Sequence, residues 1–132
     1  MLLTRASEYA LLSLDVLRKS DIPMGTEQLA TELSIPKSFL AKILQSLAKQ
    51  NILLSKKGAH GGFILARGAD EISVNEIIFA AEGKTPVVFD CTSYSSTCPN
   101  GSIGTCSISP FLANFQTKID DFLNGLMLND IL

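Results

Sequence analysis

Short amphipathic helical segments early in the chain, a glycine-rich basic hairpin directly after them and a long apolar stripe near the C-terminus predict a mainly α fold with a small β-hairpin wing. The architecture expected is a winged helix-turn-helix followed by a long C-terminal dimerisation helix. At 132 residues, one domain with an extension is expected. An apolar fraction of 46% is enough for a packed core and argues against disorder.

Thr4 is a good N-cap, and the run after it reads as a helix to about Lys19, with Tyr9, Leu12, Leu14, Val16 and Leu17 returning at helical spacing. Ser20 to Gly25 is turn-like. Thr26 opens a second helix with Leu29 and Leu33 inward, closed by Ser34-Ile35-Pro36. A third begins at Pro36-Lys37-Ser38, with Phe39, Leu40, Ile43, Leu44 and Leu47 as its apolar face. Two helices across so short a turn, the second with exposed lysines, make a helix-turn-helix. Ile52–Ser55 and Phe63–Ala66 are β-prone runs joined by Lys56-Lys57-Gly58-Ala59-His60-Gly61-Gly62, which makes a hairpin with a basic tip. Ser73 caps a short helix from Val74 to Ala81 that ends at Gly83. From Ser109-Pro110 the last helix carries Phe111, Leu112, Phe115, Ile119, Phe122, Leu123 and Leu126 on a stripe too apolar to face water. The expected division is 1–83 for the winged helix, 84–108 for a cysteine-bearing loop, and 109–132 for a dimerisation helix and tail.

Net charge is −2, but its distribution is uneven. Between Leu33 and Ala69 no Asp or Glu occurs, while Lys37, Lys42, Lys49, Lys56, Lys57 and Arg67 supply six positive charges. The remainder holds five basic and thirteen acidic side chains. A basic face on an acidic body is the footprint of a nucleic-acid partner. Lys37, Ser38 and Lys42 are expected in a major groove of double-stranded DNA, and Lys56, Lys57 and His60 in the wing. No apolar run approaches the roughly 20 residues of a membrane span. The first residues lack the pattern of a signal peptide, so a cytoplasmic location is expected.

All three cysteines, Cys91, Cys98 and Cys106, fall in a stretch of Thr, Ser, Gly and Pro, separated by six and then seven residues. Thiolates suit iron–sulfur clusters, zinc or copper(I), but zinc ribbons use closer pairs. Buried inert thiols sit among apolar neighbours, and these do not. A metal or a disulfide would give this polar loop the order its composition cannot supply.

The chain resembles the Rrf2 family of bacterial winged-helix regulators over nearly its whole length. The resemblance rests on Leu3-Thr4-Arg5-Ala6-Ser7-Glu8-Tyr9-Ala10-Leu11, on Ile35-Pro36-Lys37-Ser38-Phe39-Leu40, on Lys57-Gly58-Ala59-His60-Gly61-Gly62-Phe63, and on three cysteines before the last helix. It implies a homodimer whose long C-terminal helices cross, with recognition helices in successive major grooves of a pseudo-palindromic operator and wings in the flanking minor grooves. It also implies a two- or four-iron iron–sulfur cluster on Cys91, Cys98 and Cys106, read as a sensor of redox state, nitric oxide or iron–sulfur status. One branch of the family takes a His shortly after the third cysteine as a further ligand, whereas Ser107-Ile108-Ser109 follows here. Related nitric-oxide sensors place an Asp near the start of helix 1, which puts Glu8 forward as the remaining ligand, from the second subunit. Where one member carries a base-contacting Glu, this chain has Ala41 followed by Lys42.

Three other readings compete with this one. A metal-free repressor switched by a disulfide is compatible with the cysteines. A winged helix that docks protein is a second. An enzyme is not expected: the lone His60 has no nucleophile nearby, and no carboxylate pair or phosphate-binding glycine loop occurs.

Overall fold

The computed structural model describes residues 3–87 and 106–132. Helix α1 spans Arg5–Arg18, and its Thr4 cap is extended, with the side-chain oxygen accepting from the Ala6 N–H. The buried face differs from the expected one. It consists of Ser7, Ala10, Ser13, Leu14 and Leu17, whereas Leu12 is 40% exposed. Small side chains let α1 lie close against a later helix. The Ser13 hydroxyl is satisfied locally, donating to the Tyr9 carbonyl one turn back at 2.8 Å.

Helix α2, Thr26–Leu33, ends at Ser34 in the left-handed region (φ 56°). The Ile35 N–H reaches back to the Ala30 carbonyl at 3.0 Å and the Ser34 N–H to Thr31, a Schellman closure with buried Ile35 and Ala30 alongside. Pro36 follows, with φ −56° suited to a helix start, and α3 runs Lys37–Lys49. Leu40, Ile43, Leu44 and Leu47 face the core. Phe39, expected among them, is 43% exposed instead.

Strands β1 (Leu53–Lys56) and β2 (Gly62–Leu65) form the antiparallel hairpin, in register Leu53↔Leu65 through Lys56↔Gly62. Residue 24, in what reads as a turn, adds a bridge to β2 at Phe63. A 3-10 turn at Ala69–Glu71 leads to α4, Val74–Glu82. Its N-terminus carries a full capping box between Ser73 and Glu76, and Gly83 closes it at φ 76°. The boundaries predicted from Ser73 and Gly83 therefore hold to within a residue.

Helix α5 spans Ser109–Gly125, and the short α6, Leu128–Ile131, follows. The expected apolar stripe of α5 resolves into two rows. Leu112, Gln116 and Leu123 are buried, with Ile119 packed beside them, and Leu123 closes a small cluster with Val74 and Ile78 of α4. Phe111 and Phe122 are each 63% exposed, and Phe115 lies on the same outer row. Beyond α5 the chain pairs with the segment before α4: Val74 N–H donates to the Leu126 carbonyl and Leu128 N–H to the Ile72 carbonyl, both at 2.8 Å. Leu128 is thereby fully buried in the main core with Leu14, Leu29, Leu40, Leu44, Ile52 and Ile77.

Candidate nucleic-acid interface and cysteine segment

With the four aliphatic side chains of α3 turned to the core, helical spacing leaves Ser38, Lys42, Gln45 and Lys49 in one exposed outward row. Ser38 and Lys42, two of the expected contact residues, both stand in this row. Gln45 was missed, though the same periodicity marks it. Lys37 sits to one side, its Nζ 3.5 Å from a Glu27 carboxylate of α2. Both groups are exposed, and such a pair contributes little and yields readily to a stronger anion.

In the wing, Lys56 ends β1, Lys57 follows, and His60 lies at the tip, all three exposed. The Gly61 N–H donates to the Gly58 carbonyl at 3.0 Å, a turn with Ala59 and His60 at its centre. Two of the glycines are required by space. A Cβ on Gly61 would stand 2.3 Å from the Lys56 carbonyl oxygen, and one on Gly62 (φ 145°) would stand 2.3 Å from the Met24 carbonyl carbon. The tip is thus held close by backbone alone, and its cations project outward.

Among the described residues no carboxylate pairs with Lys42, Lys56 or Lys57. Arg67 is different. Its guanidinium donates to the Asn51 carbonyl at 3.1 Å, the Glu71 carbonyl at 2.9 Å and a Glu76 carboxylate oxygen at 3.0 Å. It ties the base of the wing to α4, so one of the six charges of the acid-free stretch is structural.

The cysteine segment is described at its edges. Cys91 and Cys98 lie outside the described residues. Cys106 is a free, half-buried thiol whose carbonyl accepts from the Ser109 N–H at 3.3 Å, at the start of α5. On the other side of the segment, the Gln116 side-chain amide, itself 1% exposed, donates to the Pro86 carbonyl at 3.0 Å and to Asp120 at 2.8 Å. Both flanks of the segment are therefore attached to α5. Glu8 is exposed and forms an ion pair with Arg5 at 2.8 Å. Among the described residues no three His, Cys, Asp or Glu side chains come together as a metal site.

A further polar centre went unread in the sequence. The Glu82 carboxylate accepts from the Ser7 hydroxyl at 2.6 Å, from the Thr4 N–H at 3.2 Å and from the Thr4 hydroxyl. Burial pushes this carboxyl up, but the donors on Ser7 and Thr4 outweigh it and hold it below the usual carboxylate range. One signal was available: an acid in the last turn of a helix opposes the macrodipole and calls for a partner.

No helix among the described residues is long and apolar enough to cross a membrane. The HTH-type transcriptional regulator IscR of Pectobacterium atrosepticum is 28% identical over 133 residues, covering 99% of this chain and 79% of that protein. The HTH-type transcriptional repressor NsrR of Streptomyces coelicolor is 28% identical over 134 residues, covering 99% and 88%. In fold, the chain is similar to CymR, the global cysteine regulator of B. subtilis, with a TM-score of 0.69 at 19% identity over 98% of this chain and 94% of that one. These relatives are transcription regulators that act on DNA, not enzymes. The matching family model, described as an iron-dependent transcriptional regulator, takes in the helix-turn-helix, the wing, the cysteine segment and the last helices alike, and with that match running over residues 3–132 the chain belongs to the Rrf2 family.

Proposed function

We propose that this regulator binds a pseudo-palindromic operator as a homodimer and senses redox state, nitric oxide or iron–sulfur status through an iron–sulfur cluster. The observation that carries the DNA half is the outward row of α3 standing beside a cationic wing in a stretch with no acid. Lys37, Ser38 and Lys42 face the major groove, while Lys56, Lys57 and His60 track the flanking phosphates. The outer row of α5, Phe111, Phe115 and Phe122, supports dimerisation of residues 109–132. Residues 1–83 then read DNA and 84–108 carry the sensor.

For the sensor, three thiols in a polar segment suit iron, and the family description is iron-dependent. Cys91, Cys98 and Cys106 supply the thiolates. Glu8 of the second subunit is the proposed fourth ligand: it is exposed on α1, and only a surface ion pair with Arg5 has to open. When bound, the cluster supplies an oxidant-sensitive centre, and its oxygen ligand is the weakest match to iron–sulfur chemistry.

Two measurements test the reading. Mobility shift against the chain's own upstream DNA across a salt series is expected to show binding that Lys56→Ala with Lys57→Ala weakens on every sequence, lowering the log–log salt slope by about 0.9 for each phosphate no longer neutralised. An unchanged slope removes the wing from the interface. Protein prepared without oxygen is expected to be coloured, with Cys98→Ala failing to assemble the chromophore and Glu8→Ala holding it for a shorter time. A colourless wild type that regulates through a disulfide would replace the cluster with a thiol switch.

A further inference from the structure

Phe39 occupies an unusual place for a large apolar side chain. It lies in the first turn of α3 at 43% exposure, between Ser38 and the core residue Leu40. Helical geometry sets it about a quarter turn round from the outward row of Ser38, Lys42, Gln45 and Lys49. Its ring is packed on one side. Tyr9 of α1, packed on the main core, meets it edge-on with ring centroids 5.5 Å apart and planes at 90°. The segment around it carries cations and no acid, which suits a polyanion rather than an apolar protein partner.

Base-edge contacts from such a motif come chiefly from the first turns of the recognition helix. A phenyl ring has no donor or acceptor, so in the major groove the one base feature it matches is the 5-methyl group of thymine. A ring already packed against Tyr9 loses less rotamer freedom on contact than one surrounded by solvent.

Resting on the DNA-binding reading above, we propose that Phe39 is a specificity-determining residue that recognises a thymine methyl in each half-site, with Tyr9 as the residue that positions its ring. Phe39 therefore selects thymine over cytosine without a hydrogen bond, beside a row made of hydrogen-bonding and charged side chains.

The test uses duplexes enriched by the full-length protein from a random-sequence pool, in which each thymine is replaced singly by deoxyuridine. This removes one methyl and leaves base pairing intact. The expected result is one thymine position per half-site at which replacement weakens wild-type binding about fourfold, the scale of one buried methyl. Phe39→Ala binds the thymine duplex about as weakly as the deoxyuridine duplex and shows no further penalty on replacement. Phe39→Leu, which keeps an apolar side chain there, retains part of the penalty. If no thymine is sensitive, or if Phe39→Ala weakens both duplexes equally and the penalty persists, the ring is packing for Tyr9 and the proposal is overturned while DNA binding stands. If no duplex is enriched at all, the DNA-binding reading itself falls, and the recognition of thymine with it.

Discussion

Met24 and Phe63 exchange both backbone hydrogen bonds, Met24 N–H to the Phe63 carbonyl at 3.1 Å and Phe63 N–H to the Met24 carbonyl at 2.8 Å. The segment before α2 therefore holds the root of the wing as a third short strand would. Gly62 makes the approach possible, since any Cβ there would overlap Met24 backbone. Gly62→Ala is expected to lower stability by about 2–4 kcal/mol in urea unfolding, through strain and loss of this clamp. DNA binding by the folded fraction should fall with it, and an unaltered unfolding midpoint would mean the clamp opens without consequence.

Glu82 sets an acid limit on the fold. Its carboxyl is held below its ordinary value of 4.5 in the folded chain. A depressed carboxyl contributes stability that is complete above the unfolded value and is lost as pH falls through the folded one. Wild-type stability is thus expected to be flat in this respect above pH 4.5 and to decline below it. Glu82→Gln should lose about 1 kcal/mol at neutral pH, the difference between a charged and a neutral acceptor, and the gap to wild type should close in acid. Thermal unfolding of both proteins between neutral and acid pH measures this directly.

Ser34 holds a left-handed conformation at φ 56° between α2 and α3. Ser34→Gly is expected to be neutral or slightly stabilising, whereas Ser34→Val should destabilise by about 1–2 kcal/mol because a branched Cβ crowds the carbonyl in that region. Denaturant midpoints of the pair decide it, with equal values counting against the strain.

The outer row of α5 is expected to be the dimer seam. Phe111→Asp and Phe122→Asp alter side chains that are 63% exposed and should leave each chain folded while sedimentation reports monomer. Ile119→Asp is a poorer probe than the sequence suggests, because Ile119 packs against Val74, Ile78 and Leu123 within its own chain. Dimers in both phenylalanine variants would place the seam elsewhere.

Local chemistry made much of this fold legible. Thr4, Ser73 and Gly83 fix helix ends through groups within a few residues, and the wing was marked by glycines between β-prone runs. Periodicity was less reliable about faces. It grouped Phe39 with Leu40 and Phe111 with Leu112 because residue type repeats at the same spacing whether or not a neighbour covers it. Spacings of four, three and four residues recur in both rows of α5, Leu112-Gln116-Ile119-Leu123 and Phe111-Phe115-Lys118-Phe122, one residue out of step. Only the position of α4 distinguishes them. The partners in contacts between distant parts of the chain could not be read from the sequence: Glu82 reaches Ser7, Leu128 reaches Ile72, and Arg67 is turned from the expected basic face into a brace. The exposed lysines of α3 and the wing were legible because the exclusion of acid is a property of the stretch itself.

The burial of Leu128 makes the cysteine segment part of a closed ring. Residue 72 and residue 128 are hydrogen-bonded neighbours, so everything between them, cysteines included, is an excursion that begins and ends at the same point of the core. A single cut anywhere in residues 88–105 would leave that pairing intact at first, yet it would turn this neighbourhood from a tethered encounter into an association between two pieces. The chain-closure entropy that a tether saves would then oppose retention of the C-terminal piece. A cut there would thus favour release of Leu128 and α5 together, opening the core that they share with residues 3–87.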